Sequence, residues 1–151
     1  MSIANLVHLL AAVVWVGGMF FAYMALRPVA ASLLEPPTRL TLWSQVFARF
    51  FPWVWLAIGL LLASGLWIIV VGWGGFAAAR HYVWTMFGLG LVMMALFLHL
   101  YFAPYPRLKR AVEAADWPAG GKALAQIRRI IGINLSIGLV VVCVAAAGRY
   151  L

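Results

Sequence analysis

Long apolar runs separated by short polar segments dominate the pattern of hydrophobic and polar positions along the chain. A bilayer core needs about 20 consecutive apolar residues per helix. Four runs reach that length, at residues 3–26, 50–73, 82–103 and 130–148. None of them alternates apolar and polar residues as the strands of a membrane barrel do. The pattern therefore predicts an all-α integral membrane protein in which one domain (1–151) forms a four-helix up-down bundle.

The composition agrees with this prediction and excludes an ordinary soluble domain. Hydrophobic residues make up 67% of the chain and charged residues only 9%. The first run is preceded by no Lys or Arg and exceeds the roughly 7 to 15 apolar residues of a secretory signal, so we expect it to be retained. The single cysteine, Cys143, excludes both an intramolecular disulfide and a CxxCH heme attachment site.

The basic residues behind the net charge of +8 concentrate in the two loops that follow the first and third runs. Those loop regions hold Arg27, Arg39, Arg49, Arg107, Lys109, Arg110, Lys122, Arg128 and Arg129. Only Arg80 and Arg149 lie on the opposite side. Because cytoplasmic loops carry an excess of Lys and Arg, we expect a bacterial inner-membrane protein with both termini periplasmic. Topology accounts for the charge, so we expect the lipid bilayer as a partner and no nucleic acid.

Three histidines are the candidate metal ligands. His8 lies in the first run, on a helical face with Trp15 and small residues, so we expect its imidazole to face the bundle interior. His81 and His99 are five helical turns apart, which places them on one face about 27 Å apart along the axis. The alternative to metal binding is a structural role for each histidine, either a hydrogen bond to a neighbouring helix or contact with headgroups and water.

Depth in the membrane decides which of these histidines can share a metal. Helices 1 and 3 of an up-down bundle are parallel, so His8 and His81 lie near the outer surface and His99 near the cytoplasmic one. A bis-histidine iron site needs both imidazoles on one metal, which favours His8 with His81 as ligands of heme b. Trp15 would line the heme pocket, and Arg80 would form an ion pair with a heme propionate. His99, without a partner histidine at its level, stays open as the ligand of a second heme.

These features predict a cytochrome-like heme b protein with a redox or electron-transfer role at the periplasmic side, and hence an unidentified redox partner and a possible oxidoreductase activity. Copper uptake or copper handling is the alternative, because thioethers and imidazoles suit copper. The methionines that would serve are Met19, Met24, Met86, Met93 and Met94. Methionine is also common core filler. A third interpretation is an accessory subunit that packs against a larger membrane complex. A homo-oligomer is also open.

The segments around the runs carry local predictions as well. Pro36 and Pro37 should end the first helix, and the amphipathic segment 38–50 should lie along the cytoplasmic interface. The third loop should hold a short helix broken at Trp117–Pro118 and at Gly120–Gly121. Asn134, in the fourth run, should hydrogen-bond across helices.

The stretch HLLAAVVWVGGMFFAYMALRP resembles the opening helix of the copper resistance protein D family. Its H-x6-W-x2-G spacing is similar to that of the bacterial membrane protoporphyrinogen oxidase of the HemJ type. The resemblance continues through FLHLYFAPYPRLKRA and IRRIIGINLSIGLVVV. It implies a small heme-binding or copper-handling inner-membrane protein, in which His8 matches the helix-1 histidine of both groups and His99 the late helix-3 histidine of the oxidase.

One departure from the oxidase pattern bears on activity. The oxidase has a lysine ahead of its second histidine, where this chain has Gly88 or its neighbours and no lysine in any span. The Arg-x-x-Asn-Glu pattern of its fourth helix is also missing, since Arg129 and Asn134 stand at another spacing without the glutamate. The resemblance therefore does not extend to protoporphyrinogen oxidation.

Overall fold

The computed structural model describes residues 2–150, and in that part of the chain every regular element is helical. The α-helices are α1 (Ile3–Phe21), α2 (Arg27–Leu33), α3 (Pro36–Trp67), α4 (His81–Phe102), α5 (Pro104–Glu113) and α6 (Trp117–Gly148). Two π-helical segments continue α1 and α3, at Ala22–Leu26 and Ile68–Gly72, and a 3₁₀ turn occupies Phe76–Ala78. The all-α prediction is confirmed.

Four helical segments are long and apolar enough to cross a membrane: Ile3–Leu33, Pro36–Gly72, His81–Glu113 and Trp117–Gly148. Each contains one predicted span and most extend well beyond it, because the amphipathic flanks at the basic end are helical too. The prediction of four long apolar helices is therefore confirmed, and the helices are longer than the apolar runs.

The segments pack as two pairs that meet in an aromatic core. α1 packs mainly along α3, whereas α4 and α5 pack mainly along α6. Between the pairs, Phe97 of α4 makes edge contacts with Trp15 of α1 and with Phe51 and Trp55 of α3. Ring centroids in these contacts are 5.3 to 6.4 Å apart, the separation expected for T-shaped aromatic pairs.

The segment 38–50 is the main correction to the sequence-based picture. It does not form a separate interfacial helix but is part of α3, which runs without a break from Pro36 through Pro52 to Trp67. Pro36 and Pro37 occupy the first turn, where a missing N–H costs nothing, so they begin this helix. Its apolar side chains are buried at three- to four-residue spacing: Leu40, Trp43, Phe47 and Phe51. That stripe packs against other helices, so the segment is part of the helix bundle.

The connection between α4 and α6 is a short helix, as predicted, but its breaks fall elsewhere. α4 ends at Phe102, and the next residue, Ala103, has φ −115° and ψ −81°, because a residue before proline is driven out of the α region. The second break lies between Glu113 and Trp117. Gly120 is inside α6, where a Cβ would lie 3.1 Å from Leu40, so its small size lets α6 approach α3.

Candidate functional site

His8 is a polar residue of an apolar helix that hydrogen-bonds to a neighbouring helix. It lies on α1 above the buried face formed by Ala11, Trp15 and Met19, and its ring is half-buried against α3. The imidazole Nδ1 is 2.9 Å from the hydroxyl Oγ of Ser64 on α3. His8 therefore makes a hydrogen bond to a neighbouring helix, which is the alternative to metal binding that the sequence leaves open.

The hydrogen bonds of Ser64 favour one tautomer of His8. The Ser64 hydroxyl donates its only hydrogen to the carbonyl of Leu60, one turn earlier in α3. Its oxygen is then left to accept from the Nδ1–H of His8. With the proton on Nδ1, the ring lone pair is on Nε2. A neutral imidazole held in this way is the form that binds metal ions.

Gly65 provides the space for this imidazole. A Cβ at Gly65 would lie 3.3 Å from Cε1 and 3.7 Å from Nδ1 of His8. Even an alanine there would require the ring to shift by a few tenths of an ångström, and a larger side chain would require more. Ser64 and Gly65 act as a pair, in which one residue orients the ring and the other makes room for it.

The other predicted site residues occupy different environments. Trp15 is 3% exposed and packs edge-on against Phe97, so it is a core residue between the helix pairs. Arg80 is exposed at the N-cap of α4, and His81 is exposed at the first residue of that helix. His99 is exposed in the last turn of α4. Among residues 2–150 no cluster of three or more His, Cys, Asp or Glu side chains is placed to hold a metal ion.

Two of the candidate thioethers lie inside the bundle. Met19 and Met93 are 3% and 4% exposed, respectively, and belong to the buried core, whereas Met24 is exposed. Met86 and Met94 are half-buried. Thioether sulfurs are thus present in the buried core.

Asn134 makes the predicted cross-helix hydrogen bond. Its side-chain amide donates to the carbonyl oxygen of Met93 at 3.2 Å, which ties α6 to α4. The side chain is 3% exposed, and its Oδ1 has no hydrogen-bond partner among the described residues.

Ser64 is the residue that sequence reasoning missed. It stands in an apolar helix among small residues, where it reads as part of a packing surface. It is 56 positions from His8, and no local motif links the two. Only the packing of α1 on α3 reveals its role.

Four long apolar helices around an aromatic core define the class: a multi-pass helical membrane protein. A family model, Copper resistance protein D, matches residues 44–147, which is more than half of the chain. The chain belongs to the copper resistance protein D family. The matched region contains Ser64, Gly65, His81 and His99, whereas His8 and Trp15 precede it. No curated protein and no solved structure matches the chain.

Proposed function

We propose that this protein handles copper in the inner membrane, with copper as the transported or sequestered substrate and His8 as a ligand on its route. The observation that carries the proposal is the imidazole of His8, which is oriented by Ser64 and keeps Nε2 free inside a member of the copper resistance protein D family. A free imidazole nitrogen of this kind is a common copper ligand.

The thioethers of the core supply further soft ligands for Cu(I). Met19 lies on the same face of α1 as His8, about 16 Å farther along the helix axis. At that distance it cannot bind the same ion as His8, so it would serve as a separate position on the route. Met93, on α4, is buried in the same core.

The distribution of basic residues supports the orientation that goes with this proposal. If the two basic loops that follow the first and third apolar runs lie in the cytoplasm, both termini and His8 lie toward the periplasm. Alkaline phosphatase, which is active only outside the cytoplasm, should be active when fused after Tyr150 and inactive when inserted between Leu34 and Glu35. The reverse result would invert the proposed route.

Copper content tests the function directly. Membranes from cells that express the protein should hold more copper than membranes from cells without it, as measured by elemental mass spectrometry. His8→Ala should abolish that excess. His99→Ala is the matched control, since it removes an exposed histidine at the other end of the bundle. An excess that survives His8→Ala, or that disappears equally in both variants, would contradict the proposal.

A heme b protein with an electron-transfer role is the second candidate, because a free imidazole Nε2 also suits heme iron. Bound heme would supply one-electron redox chemistry. Under this alternative His8 and His81 hold the iron, Trp15 and Arg80 border the pocket, and His99 serves a second heme. The absorption spectrum of the purified protein separates the candidates. A Soret band that shifts on dithionite reduction and weakens in His8→Ala and His81→Ala, but not in His99→Ala, would replace copper handling by heme binding.

A further inference from the structure

A cavity of about 340 Å³ lies at the basic end of the bundle, and none of the three histidines borders it. It is enclosed by the π-helical segment after α1, by α2 and α3, and by α6. Aromatic and aliphatic side chains form much of its wall: Leu40, Trp43, Phe47 and Trp117. Its volume is within the range of small-molecule sites.

Three arginines from three different helices border this cavity. Arg27 begins α2, Arg39 belongs to the first turns of α3, and Arg128 belongs to α6. No acidic residue is among the residues that border it. Three guanidinium groups around one space repel one another unless an anion lies between them, so the cavity selects for a negatively charged occupant.

Arg27 is held in position by the local backbone. Its Nε donates to the carbonyl of Tyr23 at 3.1 Å, and its guanidinium lies 4.3 Å from the centre of the Tyr23 ring. Pro28 has no N–H to offer to the preceding turn, which leaves carbonyl oxygens there for the side chain. Because only Nε is used, the two terminal nitrogens of Arg27 stay available.

Arg39 and Arg128 differ in the hydrogen bonds that they make within the protein. One terminal nitrogen of Arg39 lies 3.4 Å from the carbonyl of Ala31 and 3.5 Å from that of Leu34, so Arg39 caps the end of α2. Arg128 is exposed and makes no hydrogen bond within residues 2–150. Arg128 is therefore the side chain that an anion can recruit at the least cost to the fold.

We propose that this cavity binds the phosphate group of an anionic membrane lipid, with Arg27 and Arg128 as its charged ligands and Arg39 as a third positive charge. Guanidinium groups match phosphate oxygens in pairs of parallel hydrogen bonds. Trp43 and Trp117 are the residue type that lies at the headgroup level of a bilayer, and basic pockets between membrane helices at that level take phosphate headgroups. The site shares no residue with the proposed copper route, because it lies at the end of the bundle away from His8.

Thermal unfolding and native mass spectrometry of the purified full-length protein test this site. Added phosphatidylglycerol should raise the unfolding midpoint and give bound-lipid peaks, whereas phosphatidylcholine should do neither to the same extent. Arg128→Gln should weaken phosphatidylglycerol binding about tenfold, the effect of losing one charged hydrogen bond. Arg27→Gln should act in the same direction.

Arg129→Gln is the matched control, because Arg129 is the exposed neighbour of Arg128 on α6 and does not border the cavity. Inorganic phosphate is added in a separate arm. Stabilisation by phosphatidylglycerol alone assigns the site to a lipid headgroup, and equal stabilisation by inorganic phosphate assigns it to free phosphate; in both cases the effect must depend on Arg128. The proposal is overturned if neither compound stabilises the protein, or if Arg129→Gln weakens binding as much as Arg128→Gln.

Discussion

The Nδ1 atom of His8 and the hydroxyl oxygen of Ser64 lie 2.9 Å apart, across the contact between α1 and α3. Because the Ser64 hydroxyl donates its hydrogen to the Leu60 carbonyl, its oxygen accepts a hydrogen bond from the imidazole. This relationship leaves Nε2 unprotonated and aimed away from Ser64. It favours one tautomer for a histidine that lies in an apolar helix.

Ser64→Ala removes the acceptor that fixes this tautomer. We expect copper affinity at His8 to fall about tenfold or more, as is typical when an orienting partner of a metal ligand is lost. The measurement is copper titration of the purified protein, together with the ¹⁵N shifts of the His8 ring, which should show a mixture of tautomers. Ser136→Ala, which removes an exposed hydroxyl bonded only to its own helix, is the control. An unchanged affinity in Ser64→Ala would separate Ser64 from the site.

Gly65→Leu tests the space beside the imidazole. A side chain at this position meets the His8 ring at 3.3 Å from the first carbon onward, so we expect the ring to be displaced and the bound copper to decrease. Gly59→Leu is the control on the same helix, because a Cβ there meets nothing within 4 Å. Both substitutions favour the helix, so a loss of copper common to both would show that Gly65 has no special role.

Gly18→Ala should destabilise the protein more than Gly17→Ala. A Cβ at Gly18 collides with the ring of Phe50 on α3, whereas a Cβ at Gly17 meets nothing within 4 Å. Overpacking of this kind costs about 1 to 3 kcal/mol, and the neighbouring position gains only helix propensity. Thermal unfolding midpoints in detergent provide the comparison, and equal midpoints for the two variants would mean that α1 and α3 do not pack closely there.

Asn134→Ala breaks the hydrogen bond to the Met93 carbonyl. Interhelical hydrogen bonds in membranes contribute about 1 kcal/mol, so we expect a loss of that order in the free energy of unfolding. Asn5→Ala, at an exposed position on α1, makes the same change without a cross-helix bond. Unfolding in mixed micelles measures both, and a smaller loss at Asn134 than at Asn5 would contradict the role of Asn134 in joining α6 to α4.

The apolar runs determined which parts of the chain would span the membrane, and they did so for a physical reason. A run of about 20 apolar residues has no stable alternative to a helix in lipid. The inward position of His8 followed from the cost of exposing a polar group to acyl chains, and Asn134 was found in the same way. These predictions needed only local sequence.

The prediction for the segment 38–50 was wrong because two arrangements of a helix give the same spacing of apolar residues. An amphipathic stripe such as Leu40, Trp43 and Phe47 is the same for a helix lying on the membrane as for one standing in a bundle. Only packing partners distant in sequence distinguish them, and here those partners belong to α5 and α6.

The partner of His8 and the shared cavity of Arg27, Arg39 and Arg128 had no local signal either. The arginines lie in separate segments of the chain, where the positive-inside pattern was already a sufficient reason for each of them. Their convergence on one space is a property of tertiary packing alone.

The unbroken course of α3 has a mechanical consequence. Trp43 and Phe47, on the wall of the basic cavity, and Ser64, beside His8, are parts of one rod. Along its axis Trp43 and Ser64 are about 30 Å apart. Pro52 removes one backbone hydrogen bond between them, so it is the point at which this rod bends most easily. If the part of α3 that precedes Pro52 tilts and the bend at Pro52 does not absorb the tilt, the Ser64 hydroxyl that hydrogen-bonds to His8 is displaced.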